Sequence, residues 1–246
     1  MSMSAPAPAP PPPAAGTGGA KTMFMDSSRP VPAPVPATHR GKLIQLSEDG
    51  TEHEVLDIMS AGTTIGRSLG GIFASDPYLD PDHIELHANE EGLVLTRDDA
   101  VNGVFIRLYG SRELAEGDHF RIGQELMLYN DLPEPQSMAD GSEIMGSPNA
   151  GYWGRLTLLV ETDLGVRAWP IYDTGISMGR EQGEILFPTD GYVSGAHCRI
   201  IGDDTGVYLE DLDSSNGTYF RAREGETIPY GSLILLGQHL FRIDPA

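Results

Sequence analysis

The stretch HCRIIGDDTGVYLEDLDSSNGTYF, residues 197–220, decides how this chain folds. It holds three short runs, His197–Ile201, Val207–Glu210 and Thr218–Phe220, rich in β-branched and aromatic residues. Between them lie Gly202-Asp-Asp-Thr-Gly206 and Asp213-Ser-Ser-Asn-Gly217, which are turn chemistry. Short apolar runs bounded by such clusters read as strands. Working outward, Leu156–Val160, Val166–Ile171 and Gly175–Met178 precede the stretch, and Leu233–Leu236 and Leu240–Ile243 follow it, with the same character. No convincing run of helical period interrupts them, which disfavours α/β enzyme folds. The spacing predicts an all-β sandwich.

The same pattern occurs twice. Gly41-Lys-Leu-Ile-Gln-Leu matches Gly154-Arg-Leu-Thr-Leu-Leu, Ile65-Gly-Arg67 matches Met178-Gly-Arg180, and His83 matches His197. Asn102-Gly103 matches Asn216-Gly217, and Gly123-Gln124 matches Gly237-Gln238. The offset is 113 residues from Arg67 to Arg180 and 114 from His83 to His197, so one residue is inserted between those anchors. Anchors in register across whole blocks indicate an internal duplication. The expected organisation is an arm over 1–40, a first sandwich over 41–131, a linker over 132–153 and a second sandwich over 154–246. The arm is Pro- and Ala-rich and too poor in large apolar residues to offset its ordering entropy, so disorder is expected. One island, Ala20-Lys-Thr-Met-Phe-Met25, stands out in it as a short recognition motif.

Composition narrows the function. The net charge of −20 argues against nucleic acid as the main partner and against acidic membrane surfaces. The longest apolar runs, such as Leu233–Leu236, are too short to cross a bilayer, and the Ala-Pro start lacks the basic region of a secretory signal. A cytoplasmic location is expected. The single cysteine, Cys198, permits no intrachain disulfide and no thiolate metal site, and its place in an apolar run reads as a small buried hydrophobe. No metal and no cofactor are expected. The chain has no Gly-x-Ser-x-Gly elbow, no His-Glu-x-x-His and no phosphate-loop Gly-Lys-Ser/Thr, so no enzymatic role is expected.

The ordered set Gly179-Arg180, Ser194-Gly-Ala-His197 and Ser214-Ser-Asn-Gly-Thr218 resembles the motifs of forkhead-associated (FHA) domains. The resemblance covers the second block and, more weakly, the first. It implies a non-catalytic module that binds phosphothreonine peptides through loops at one end of a sandwich. The residue chemistry suits that task. A phosphothreonine brings close to two negative charges and three acceptor oxygens. Arg180 can grip two of these oxygens. Ser194 can donate to another, and Ser215 can donate by hydroxyl or backbone N–H. Asn216, ahead of the turn at Gly217, can pair with the backbone of an extended peptide. Gly179, His197 and Gly217 are supporting residues, and the resemblance makes His197 an internal brace without ligand contact. It also implies a pocket for the threonine methyl group, favouring phosphothreonine over phosphoserine. Arg221 stands where many members carry Asn, and either adds cationic character near the peptide or faces solvent.

The first block departs further. Asp80 stands at the position of Ser194 and Val101 at that of Ser215. A carboxylate facing a phosphate at about 4 Å costs about 1 kcal/mol even in water. With 6 basic against 18 acidic residues, this block is expected to have lost phosphate binding and to be a scaffold or a protein–protein surface; the second has 7 against 14.

The expected function is therefore a phosphothreonine-binding adaptor in serine/threonine kinase signalling, with a phosphothreonine protein, and a kinase as a further candidate, as partners. The alternative is a scaffold whose two FHA-like sandwiches make only phosphate-independent protein contacts. A switch is a third reading: phosphorylated Thr22, with Met25 three residues on, would dock on the second block of its own chain or a neighbour's at high effective concentration.

Overall fold

The computed structural model describes residues 40–98, 100–132, 137–142, 151–161, 164–203 and 205–246. Thr22 and residues 1–39 of the expected arm lie outside them, while Arg40, the last residue of that expected arm, begins a strand. The described residues contain nineteen strands, two short 3-10 turns and no α-helix. The predicted strands appear with slightly different ends.

From the first block come β1 (Arg40–Leu46), β2 (Glu52–Met59), β3 (Thr63–Ile65), β4 (Ile84–Ala88), β5 (Gly92–Arg97), β6 (Val104–Arg107), β7 (Ser111–Glu113), β8 (His119–Ile122) and β9 (Glu125–Asp131). From the second come β10 (Tyr152–Glu161), β11 (Leu164–Tyr172), β12 (Ile176–Gly179), β13 (Ile185–Leu186), β14 (Cys198–Asp203), β15 (Gly206–Asp211), β16 (Thr218–Arg221), β17 (Thr227–Pro229), β18 (Leu233–Leu236) and β19 (His239–Pro245).

A ten-stranded sheet, in the order β11-β10-β9-β8-β16-β6-β18-β19-β1-β2, forms one layer. The other layer is two sheets, β13-β12-β14-β15-β7 and β17-β5-β4-β3. Burial alternates along β8 and β18, as a period of two requires when one face meets a core. At one end β2 packs on β4 and β19 on β5. At the other the Trp153 ring leaves no room for a side chain on Gly202, where a Cβ would lie 2.9 Å from its Cδ2. Buried residues of both ends, including Leu43, Ile84, Phe120, Leu156, Ile200 and Phe241, belong to one continuous cluster, and Cys198 is fully buried within it.

The strand pairing does not follow the block boundaries expected at 41–131 and 154–246. β7 of the first block pairs with β15 of the second, β8 with β16, and β9 with β10. In return β17 pairs with β5, β18 with β6, and β19 with β1. Each block thus gives its last three strands to the other. The arms cross where β6 and β16 pair antiparallel, with Tyr219 opposite Arg107. The physical reason is the duplication itself. Equivalent strands offer equivalent hydrogen bonds and apolar faces, so exchange loses few contacts, as in domain swapping.

The exchanged hairpins are locked by reciprocal contacts. β8 and β9 join through Gly123-Gln124, and β18 and β19 through Gly237-Gln238, with positive φ of 57° and 58° at the glycines. The Gln124 N–H donates to Asp190 Oδ2 at 2.7 Å, and the Gln238 N–H to Asp76 Oδ2 at 2.8 Å. Each carboxylate belongs to the block that receives the hairpin.

Candidate functional site

The loop after β12, the loop before β14 and the loop after β15 meet at one end of the second sandwich. Gly179 closes β12 against the neighbouring backbone: a Cβ there would lie 2.5 Å from the Gln182 carbonyl oxygen, so only glycine fits. The first two loops are then zipped together. The Arg180 N–H donates to the Ser194 carbonyl at 2.8 Å, and the N–H groups of Glu181 and Gln182 donate to the Gly195 carbonyl at 3.0 and 2.9 Å.

His197 ties in the third loop. Its own N–H donates to the Met178 carbonyl at 2.9 Å, and its Nδ1 accepts from the Ser194 N–H at 3.0 Å. Its Nε2 faces the Gly217 carbonyl at 3.3 Å, so the neutral ring carries its proton on Nε2. The ring is completely buried, and burial pushes its pKa below the ordinary histidine value. A neutral ring suits this place, because one nitrogen must accept while the other donates.

Asp211 holds the third loop from within. Its carboxylate accepts from the Ser214 N–H and hydroxyl at 3.0 and 2.7 Å, and from the Thr218 N–H and hydroxyl at 3.1 and 2.6 Å. Sequence reasoning did not single it out. The signal was present, since Asp211 precedes a Ser by three residues and a Thr by seven, around a turn that includes Asp213 at φ 55°. Asp190, also not singled out, accepts from the Tyr192 N–H at 2.9 Å while capping the Gly123-Gln124 hairpin. The loop that carries Ser194 is therefore anchored on strands of the first block.

The four expected contact residues are brought together, with changes in detail. The Arg180 guanidinium is exposed enough to meet a ligand, at 39%, and is paired with the Glu181 carboxylate, 3.1 Å from Nη2 to Oε1. The Ser194 Oγ accepts from the Ser215 N–H at 3.0 Å, so that N–H is already engaged and the exposed Ser215 hydroxyl is the donor left to it. The exposed Asn216 donates from its amide to the Tyr192 carbonyl at 2.9 Å, which fixes the side chain. Arg221 fits neither expectation. The exchange carries it to the first block, where Nε and Nη2 bind Asp98 Oδ2 at 3.2 and 3.1 Å.

The first block repeats the frame without the donors. The Arg67 N–H donates to the Asp80 carbonyl at 3.0 Å, the Asp80 N–H to His83 Nδ1 at 3.0 Å, and the Asn102 amide to the Tyr78 carbonyl at 2.8 Å. Asp80 puts a half-exposed carboxylate where Ser194 offers a hydroxyl, and Val101 puts an apolar side chain, 58% exposed, where Ser215 stands. Arg97 replaces Asp211 at the hub. Among the described residues, no group of three or more His, Cys, Asp or Glu side chains is placed to hold a metal ion, and no helix is long and apolar enough to cross a membrane.

Residues 176–237 match the family model of the FHA domain, the second block from β12 to β18. Over 73 residues the chain is 32% identical to the FHA domain-containing protein FhaB of Mycolicibacterium smegmatis; the match covers 28% of this chain and 47% of that protein, just under half the relative's length. A solved structure, Mycobacterium tuberculosis EmbR in complex with a low affinity phosphopeptide, is 23% identical and covers 44% of this chain and 26% of that one. Its TM-score of 0.23 carries no weight for the fold. The FHA match falls on the segment that supplies Arg180, Ser194, Ser215 and Asn216.

Proposed function

We propose that the chain is a cytoplasmic phosphothreonine-binding adaptor in serine/threonine kinase signalling, with its peptide site at Arg180, Ser194, Ser215 and Asn216. One observation carries the reading. Three loops, cross-linked through the backbone of Arg180 and Ser194 and the ring of His197, bring the exposed Arg180 guanidinium together with hydroxyl and amide groups. A phosphate dianion displaces the Glu181 carboxylate from Arg180 and takes its place, because it carries more charge and more acceptor oxygens. The Ser194 and Ser215 hydroxyls donate to it, and the Asn216 Oδ1 accepts from the peptide backbone. The match of residues 176–237 to the FHA domain model supports this reading.

The first block acts as structural partner. Its Asp80 and Val101 oppose phosphate binding, while its β7, β8 and β9 complete the sandwich that carries the site. The scaffold alternative shares the fold and differs in one prediction, that Arg180 is dispensable. The test is a peptide array probed with the full chain, in which each sequence appears with threonine, phosphothreonine and phosphoserine. Retention on phosphothreonine spots alone, lost in Arg180→Ala, is the expected result. Retention indifferent to phosphate would favour the scaffold.

A further inference from the structure

Strand exchange sets an arginine of the first block against the candidate site of the second. Arg107 ends β6 opposite Tyr219, and its guanidinium lies on the Asn216-Gly217 turn: a Cβ on Gly217 would lie 2.6 Å from its Nε and 3.1 Å from its Cζ. The repeat-equivalent Arg221 lies on Asn102-Gly103 in the same way, 2.8 Å from a Gly103 Cβ to its Cζ. The two arginines differ in their partners. Arg221 is neutralised by Asp98 and further bound by the Ala100 and Val101 carbonyls at 2.7 and 3.3 Å. At the repeat position of Asp98, the second block has Leu212. Among the described residues, Arg107 has no hydrogen bond and no ion pair, and its ring contact is with Tyr109 at 5.6 Å.

An unpaired guanidinium on the turn that bears Asn216 lies beside the path of any peptide whose backbone Asn216 holds. We infer that Arg107 is a specificity residue of this site, reading an anionic side chain that flanks the phosphothreonine. The inference rests on the function proposed above. It assigns part of the site to the other repeat, and it explains why an acidic protein would keep one cation unpaired here. Arg221 cannot do the same for the first block, because Asp98 occupies it.

The test titrates the full chain with phosphothreonine peptides in which glutamate replaces alanine at one flanking position at a time. A phosphoserine replacement at the responsive position then separates a carboxylate reader from a reader of a second phosphate. Glutamate at one position is expected to tighten binding about three- to tenfold, the range of a partly exposed charge-assisted bond. Arg107→Gln removes the difference between the two peptides. Leu212→Asp, which supplies the missing carboxylate without touching Arg107, removes it too and guards against a folding defect in the first variant. An acidic preference unchanged in both variants, or absent from the wild-type chain, overturns this inference while leaving the phosphopeptide site intact. No phosphate-dependent binding in the wild-type chain overturns the underlying function and this inference with it.

Discussion

Arg112 and Glu226 occupy the same position in the two repeats and are bound to each other. Arg112 Nη1 donates to Glu226 Oε1 at 2.7 Å and Nη2 to Oε2 at 3.1 Å, and each side chain is 22% exposed. The pair lies beside the crossing of the two arms, where the Arg112 guanidinium also covers the Phe220 ring at 3.7 Å. In a pair of identical chains exchanging the same strands, this position would bring like residues together. The duplicated chain has opposite charges there, which favours exchange within one chain.

A charge swap tests that relationship. Arg112→Glu and Glu226→Arg are each expected to destabilise the fold by about 2 kcal/mol or more, the worth of charged hydrogen bonds plus a new like-charge contact. The double exchange, Arg112→Glu with Glu226→Arg, is expected to recover most of the loss. Denaturant titration of the four proteins reads this directly, and additive losses in the double variant would speak against the pair.

Residues 154–246 expressed alone lack β7, β8 and β9. The edges of β10, β15 and β16 then lose their partners, and the Asp190 carboxylate loses the Gln124 N–H. The fragment is expected to be poorly folded or to self-associate, by the ordinary fate of unpaired apolar edges. Sedimentation and amide-proton NMR would show it. A folded monomer with full phosphopeptide affinity would mean that the exchange is not required for the site.

In the proposed binding mode, the Glu181 carboxylate paired with Arg180 competes with the phosphate for it. Glu181→Gln is expected to tighten phosphothreonine-peptide binding about two- to fivefold, as release of an exposed ion pair allows. Calorimetric titration beside the wild-type chain checks the direction; weaker binding would show that Glu181 orients the guanidinium instead.

His197 links stability to pH. Its pKa is lowered in the folded state, so below the ordinary histidine value the unfolded chain takes up a proton that the folded chain refuses. Its contribution to stability is therefore present above the unfolded pKa and lost as pH falls toward the folded one. Protonation would also abolish the bond from the Ser194 N–H to Nδ1. Thermal melts from about pH 7.5 down to about pH 5.5 should show a steeper decline for the wild-type chain than for His197→Gln. Parallel slopes would contradict this.

The strands were legible because each rests on local signals, such as the apolar alternation of Leu233–Leu236 or the turn at Gly237-Gln238. The meeting of Arg180, Ser194, Ser215 and Asn216 was legible through the resemblance of their ordered motifs to FHA domains, which implies loops gathered at one end of a sandwich. Partner choice was not. Phe120 and Ile122 on β8 present the same face as Ile234 and Leu236 on β18, so either hairpin satisfies either sandwich. Arg107 and Arg221 could not be placed for the same reason: their destinations depend on a pairing that the duplication leaves degenerate.

The proposed function requires that one of two similar frames bind phosphate and that the other support it. Calorimetric titration of the full chain with a phosphothreonine peptide, beside Arg67→Ala and Arg180→Ala, tests this most directly. One peptide per chain is expected, unchanged by Arg67→Ala and abolished by Arg180→Ala. Two peptides per chain, or a single one lost with Arg67 and kept without Arg180, would contradict it.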